Sequence, residues 1–162
     1  MITIQENVVL APYTTFKIGG PARFFIIVKT VEEMQAALLF AKEQQLPWFV
    51  LGGGSDLLVA DAGFEGVVIK SELREIEMDV ETGVVTAGSG VLLSMLIPKT
   101  MQAGLAGLEY AIGVPATVGG AIWANLGARG SDIAQWLQSV TVVTEEGAIE
   151  TLSAADCAFI VS

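Results

Sequence analysis

Residues 21–56 read PARFFIIVKTVEEMQAALLFAKEQQLPWFVLGGGSD, and the spacing of their apolar positions changes twice. Phe24–Val28 is a continuous apolar run inside a strand over Arg23–Lys29, which calls for burial on both faces. Thr30 and Glu33 then form a capping box, and Val31, Met34, Ala37, Leu38 and Ala41 recur on one helical face through about Gln44. Pro47 stops the helix because it brings no N–H. Trp48–Leu51 is a short apolar strand that ends at Gly52-Gly53-Gly54-Ser55-Asp56. Strand, helix, strand and glycine turn in that order predict an α/β lobe with a turn at a strand end.

Upstream, Thr14–Gly20 (TTFKIGG) and Pro21 make a turn-rich lead into the first strand. Downstream, a Gly63–Gly66 turn precedes a strand at Val67–Ile69, and Ile76–Val80 pairs with Val84–Ala87 around Glu81-Thr82-Gly83. Leu92–Ala103 reads as an amphipathic helix with Gly104 at its C-terminus, and Pro98 inside it demands a kink or a late start. Ser139–Thr144 and Ala148–Leu152 pair around Glu145-Glu146-Gly147, and Ser153–Asp156 caps a last short turn. The expected organisation is two α/β lobes, residues 1–70 and 71–162. A ligand held by the glycine segments of both would lie between them.

Composition removes whole classes of function. Eighteen acidic against eight basic residues give a formal charge of −10, which repels nucleic-acid backbones and anionic membranes. With no histidine, imidazole metal sites, Ser-His-Asp triads and Cys-His dyads are excluded. The single cysteine, Cys157, forms no internal disulfide and reads as a buried, inert thiol. The N-terminus lacks a basic start and a compact apolar block, so a cytoplasmic protein is expected. The uncharged stretch Tyr110–Ala128 approaches the length of a membrane helix, but Pro115, its glycines and Asn125 argue for a packed loop and helix.

Two glycine-rich segments remain as candidate ligand sites. Gly52–Ser55 has no Gly-Lys-Ser/Thr after it, and Leu57 stands where a third glycine of a dinucleotide fingerprint belongs. The stretch Gly107–Gly130, GLEYAIGVPATVGGAIWANLGARG, divides evenly between two readings. Gly119-Gly120 ahead of Ala121–Ala124 opens a short helix whose free N–H groups seat an anion, or the small residues serve close packing. Trp123 is read as core, and Arg129 as a surface charge.

In order, TTFKIGGPARFF (14–25), LGGGSDLLVADAGFEGVVI (51–69), GLEYAIGVPATVGGAIWANLGARG (107–130) and ADCAF (155–159) resemble the flavin domain of the UDP-N-acetylenolpyruvoylglucosamine reductases, the UDP-N-acetylmuramate dehydrogenases of peptidoglycan synthesis. The resemblance covers nearly the whole chain. It implies an α+β (mixed α/β), two-lobed FAD-binding domain of the vanillyl-alcohol oxidase or PCMH type. By resemblance, Gly52, Gly53, Gly54, Ser55, Asp56 and Leu57 hold the FAD diphosphate. Gly113, Val114, Pro115, Ala116, Thr117, Gly119, Gly120, Asn125, Gly127 and Ala128 line the flavin.

The implied reaction passes hydride from NADPH through FAD to the enolpyruvyl double bond of a UDP-sugar. The family's serine proton donor and partner glutamate belong to a C-terminal domain outside this chain, so no catalytic residue is assigned. The family's Tyr-Arg pair after Cys-x-Phe is replaced by Val161 and Ser162. Asp56 stands where the family usually has Asn, and a carboxylate there repels a diphosphate. Ala116 stands where the family usually has Gly, harmless only if its φ stays negative. The expectation is the FAD-binding half of the reductase, incomplete alone for the full reaction. Its alternatives are a non-enzymatic remnant or interaction module without flavin, and a flavin dehydrogenase for another small substrate. A missing partner domain would leave the last strand pair and the Phe159-Ile160-Val161 end as an apolar edge that promotes association.

Overall fold

The computed structural model describes residues 2–159. It divides into two compact units, one of Met1–Leu73 with Val143–Ala148 and one of Arg74–Val142 with Ile149–Ser162. Ile160, Val161 and Ser162, and with them the end of the predicted apolar edge, lie outside the described residues.

The first unit is a four-stranded sheet carrying one helix. Its elements are β1 (Ile4–Val9), β2 (Pro21–Val28), α1 (Val31–Glu43), β3 (Trp48–Leu51) and β4 (Phe64–Ser71). The strand order is β1-β2-β4-β3, with β2, β4 and β3 parallel and β1 antiparallel to β2. Both faces of β2 are covered, as its unbroken apolar run requires. Ile26 and Val28, with Val67 and Ile69, pack on Ala37, Leu38 and Ala41 of α1. Phe25 and Val68 face the other way, onto Leu10, Ala22 and Leu51. The β2–β4 register shifts between Ala22 and Phe24, where β4 carries one extra residue, and Ala22 packs in the cluster of Phe25. Full burial of each such aliphatic side chain is worth about 1.5–3 kcal/mol, so these two layers dominate the unit's stability.

Local chemistry sets the helix ends. Thr30 Oγ1 accepts the Glu33 N–H at 3.2 Å, and Glu33 Oε2 accepts the Lys29 N–H at 2.8 Å. The reciprocal bond therefore reaches one residue beyond the cap. Two strands of this unit depart from the sequence reading. β1 was not anticipated, because it is an edge strand with mostly exposed side chains and gives no clear apolar alternation. β4 runs longer than Val67–Ile69 and contains Gly66, since a Cβ there would collide with the Pro47 carbonyl. Gly66 permits close approach; it does not turn the chain.

The second unit contains β5 (Ile76–Asp79), β6 (Val84–Ala87), α2 (Leu93–Gln102), α3 (Val118–Trp123), β7 (Gly127–Ala128), β8 (Ser131–Asp132), β9 (Ser139–Val143) up to Val142, and β10 (Ile149–Ser153). The strands pair two by two: β5 with β6, β7 with β8, β9 with β10. Val91, Leu93, Leu96, Ile97, Tyr110, Ala111 and Ala121 form its core. Pro98 lies inside α2, which remains one ten-residue element. The ladder bond it removes would have gone to the carbonyl of Ser94, an exposed residue whose carbonyl water can serve. Trp123 is 92 % exposed and is no core residue. α3 buries Ala121 instead, and Trp123 falls on its outer side. Cys157 is half-buried, not buried, with its thiol 3.3 Å from the Ser153 carbonyl.

Candidate functional site

The glycine turn follows β3 directly, beginning after Leu51, which is 1 % exposed. Two other segments hold it. The first is the loop before β2. Gly54 has φ = +66°, its carbonyl accepts the Thr15 N–H at 2.9 Å, and a Cβ at Gly54 would run into the Tyr13 carbonyl. Only glycine satisfies both demands. Thr14, 2 % exposed, keeps the loop in shape through Oγ1, which lies 2.9 Å from the Ile18 carbonyl and 3.2 Å from that of Ala11. The Gly20 and Gly63 N–H groups both donate to the Ala60 carbonyl at 2.9 Å. The sequence motifs at 14–25 and 51–69 are thus two halves of one interlocked loop pair.

The second support is Lys70. It stands beside Leu51 in the parallel β3–β4 register, and its Nζ donates to the Gly52 carbonyl at 2.5 Å. Sequence reasoning missed it, although a lone cation closing the apolar run Val67-Val68-Ile69 was the available signal. Lys70 shares the strand face of Val68, on the side packed by Leu10, Leu51 and Leu57.

The turn leaves backbone donors over. The N–H groups of Gly53, Gly54, Asp56 and Leu57 find no acceptor among the described residues. Gly54 is buried, and a buried N–H without an acceptor is uncommon in a folded protein. Such a run of donors beyond the carboxyl end of a parallel strand suits phosphate oxygens. Asp56 is exposed.

The second predicted set is built differently. Thr117, 2 % exposed, caps α3 by accepting the Gly120 N–H on Oγ1 at 3.3 Å. Val118 N–H donates to Val91 O at 2.8 Å, Gly119 N–H to Ser89 O at 2.9 Å, and Ala121 N–H to Thr117 O at 2.8 Å. The start of α3 therefore has no free donors with which to seat an anion. Gly119 is glycine because a Cβ would come within 2.7 Å of the Ser89 side chain. Between the two readings left open by the sequence, this helix start follows close packing. Ala116 is not among the residues with positive φ, and its carbonyl accepts the Leu93 N–H at 2.9 Å, so the alanine costs no backbone strain. Ala116 and Ala128 pack against the core of the unit, Gly127 and Ala128 pair with Asp132 and Ser131, and Asn125 turns the chain at φ = +43°. Gly113 borders an apolar cavity of about 500 Å³ with Ser94, Ile97, Pro98, Met101, Gln102 and Ile112.

Two titratable groups in this unit are perturbed. Burial, helped by the charge of Asp132, pushes the Tyr110 phenol above its ordinary value, and its hydroxyl has no hydrogen-bond partner among the described residues. The backbone N–H groups of Glu109 itself and of Gly107 hold the Glu109 carboxyl below the usual range. Arg129 Nη1 donates to the Glu109 carbonyl at 3.4 Å.

A parallel β-α-β unit ending in a donor-lined glycine turn is the architecture of a nucleotide-type cofactor domain. Residues 22–153 match the family model described as FAD binding domain, and the chain belongs to that family. It is 44 % identical over 143 residues to UDP-N-acetylenolpyruvoylglucosamine reductase of Protochlamydia amoebophila, covering 88 % of this chain and 48 % of that protein. The crystal structure of the corresponding reductase from Thermus caldophilus superposes with a TM-score of 0.80 at 35 % identity, covering 96 % of this chain and 54 % of that one. p-Cresol methylhydroxylase with substrate bound, at 15 % identity and a TM-score of 0.67 over 88 % of this chain and 30 % of that one, shares the fold. The mixed α/β fold of the vanillyl-alcohol oxidase and PCMH type expected from the sequence is therefore the observed one. FAD is the cofactor of this family of domains. The chain spans about half the length of the relatives it matches.

Proposed function

We propose that this chain is the FAD-binding portion of an NADPH-dependent reductase that converts UDP-N-acetylglucosamine enolpyruvate to UDP-N-acetylmuramate in peptidoglycan synthesis. The observation that carries this reading is the set of unspent N–H groups at Gly53, Gly54, Asp56 and Leu57, at the turn where the resemblance puts the FAD diphosphate. The donor set fits the ligand: neutral backbone dipoles neutralise a diphosphate in a protein of charge −10 that is poor in cations. Gly52–Leu57 hold the diphosphate. Gly113–Thr117, Gly119, Gly120, Asn125, Gly127 and Ala128 serve as backbone surface for the flavin, without helix-start donors. When bound, the flavin supplies the two-electron carrier between NADPH and the enolpyruvyl double bond.

NADPH, the UDP-sugar and a cytoplasmic location belong to the same reading, and the names of the relatives support the UDP-sugar. Among the described residues no helix is long and apolar enough to cross a membrane. The test is direct. The purified chain should show the visible bands of bound flavin, or acquire them with added FAD, and its melting temperature should rise with FAD. A colourless protein whose melting is indifferent to FAD would leave the flavin-free interaction module as the better reading. Anaerobic addition of NADPH to the loaded chain should bleach the flavin if the first half-reaction resides in these residues.

A further inference from the structure

We propose that Lys70 is a positioning residue: by holding the Gly52 carbonyl, it fixes the direction in which the turn presents the Gly53 N–H to the diphosphate. This rests on the reading of Gly52–Leu57 as the diphosphate cradle. The peptide between Gly52 and Gly53 is planar and trans, so its C=O and N–H point in opposite directions. The Lys70 ammonium binds that C=O at 2.5 Å, and the Gly53 N–H, which has no acceptor among the described residues, therefore points away from Lys70. With three successive glycines the chain has no side chain of its own to choose this peptide orientation. The choice is made from outside, by the neighbouring parallel strand.

The placement is a consequence of register. Leu51 and Lys70 are paired, so the residue after Leu51 lies within reach of the Lys70 side chain. Val67, Val68, Ile69 and Ser71 around it are buried, and Lys70 is half-buried, so its stem runs along packed surface. A charge-assisted bond to a carbonyl is roughly twice as strong as a neutral one. It also polarises the peptide and strengthens the N–H on its far side as a donor. Lys70 acts on the ligand through this peptide, not as a ligand itself.

The experiment uses the full 162-residue chain with Lys70→Met and Lys70→Arg, and measures FAD dissociation constants across a salt series. Lys70→Met, which keeps the stem and loses the donor, is expected to bind FAD about tenfold more weakly. Lys70→Arg, which keeps a donor, should remain within about threefold of the parent. The salt dependence of Lys70→Met should run parallel to the parent's, as a role exerted through the Gly52 carbonyl requires. In ligand-free ¹⁵N spectra the Gly53 amide should move in Lys70→Met and stay near its place in Lys70→Arg. Equal FAD affinity for Lys70→Met and the parent would overturn the proposal, as would a deficit that disappears at high salt. A parent chain that binds no FAD would remove the cradle reading, and the Gly53 amide would still decide whether Lys70 orients that peptide.

Discussion

Replacing Gly54 by alanine should unfold the cradle from the inside, and a second glycine in the same unit supplies the control. Gly54 sits at φ = +66°, where an L side chain costs about 1–2 kcal/mol. Its new Cβ would also drive into the Tyr13 carbonyl and stand 3.1 Å from the Thr14 Cα, both of them backbone atoms. Relief requires moving a loop that Thr14 anchors at 2 % exposure, and it breaks the 2.9 Å bond from Thr15 N–H to the Gly54 carbonyl, worth about 1 kcal/mol. With the disturbed packing of Thr14, the expected loss is about 3–4 kcal/mol. Gly147, also of the first unit, has φ = +83° and nothing within 4 Å of a Cβ, so Gly147→Ala should cost only about 1 kcal/mol. Urea unfolding followed by far-UV circular dichroism compares the two in the same transition. If they differ by less than about 0.5 kcal/mol, the interlocking of the two loops is not what fixes this glycine.

Three further outcomes are expected. Asp56→Asn should tighten FAD binding several-fold, and the gain should shrink with salt; unchanged affinity would mean that the exposed carboxylate does not sense the diphosphate. Thr117→Ala should destabilise the second unit by about 1 kcal/mol through loss of the α3 cap, with Thr117→Ser restoring most of it; an alanine variant as stable as the parent would show the cap to be idle. Tyr110 has a raised folded-state value, so the native state keeps the phenolic proton that the unfolded chain gives up above about pH 10, and stability falls as pH rises through that range. Tyr110→Phe should flatten this alkaline loss without lowering stability at neutral pH, since the hydroxyl has no partner among the described residues; a neutral-pH loss in chemical denaturation would refute it.

What the sequence disclosed was local. Thr30, Glu33 and the apolar spacing of α1 located that helix, and Pro47 with the glycine run bounded β3, because caps, breakers and periodicity act within a few residues. What it withheld depended on distant neighbours. β1 is an edge strand defined only by its pairing with β2, and Gly66 looked like a turn because its collision partner, the Pro47 carbonyl, is remote in sequence. At the candidate site the glycines of 52–54 were visible, but Lys70 was not, since only the parallel register brings it beside Gly52. At 118–121 composition could not separate packing from anion binding; the bonds to Val91 and Ser89 decide it. Trp123 was misplaced for a related reason: on a six-residue helix there is too little periodicity to say which side faces the core.

The order of strands in the first unit also governs when the cradle comes into existence. β4 is the last strand of its sheet to be synthesised, yet it lies between β2 and β3, and β3 has no other strand partner among the described residues. Until residues 64–71 have emerged and inserted, the Gly52–Leu57 turn has its contact with the preceding loop through Thr15 and Gly54 but lacks the strand beside it, and Lys70 has not arrived. The donors of the turn are thus aligned at the end of folding, after the long-range pairings are complete. A ligand recognised by this turn cannot guide the early steps of assembly. It can only slow the finished unit's unfolding, so cofactor added during refolding should change how long the native state lasts and not how fast it is reached.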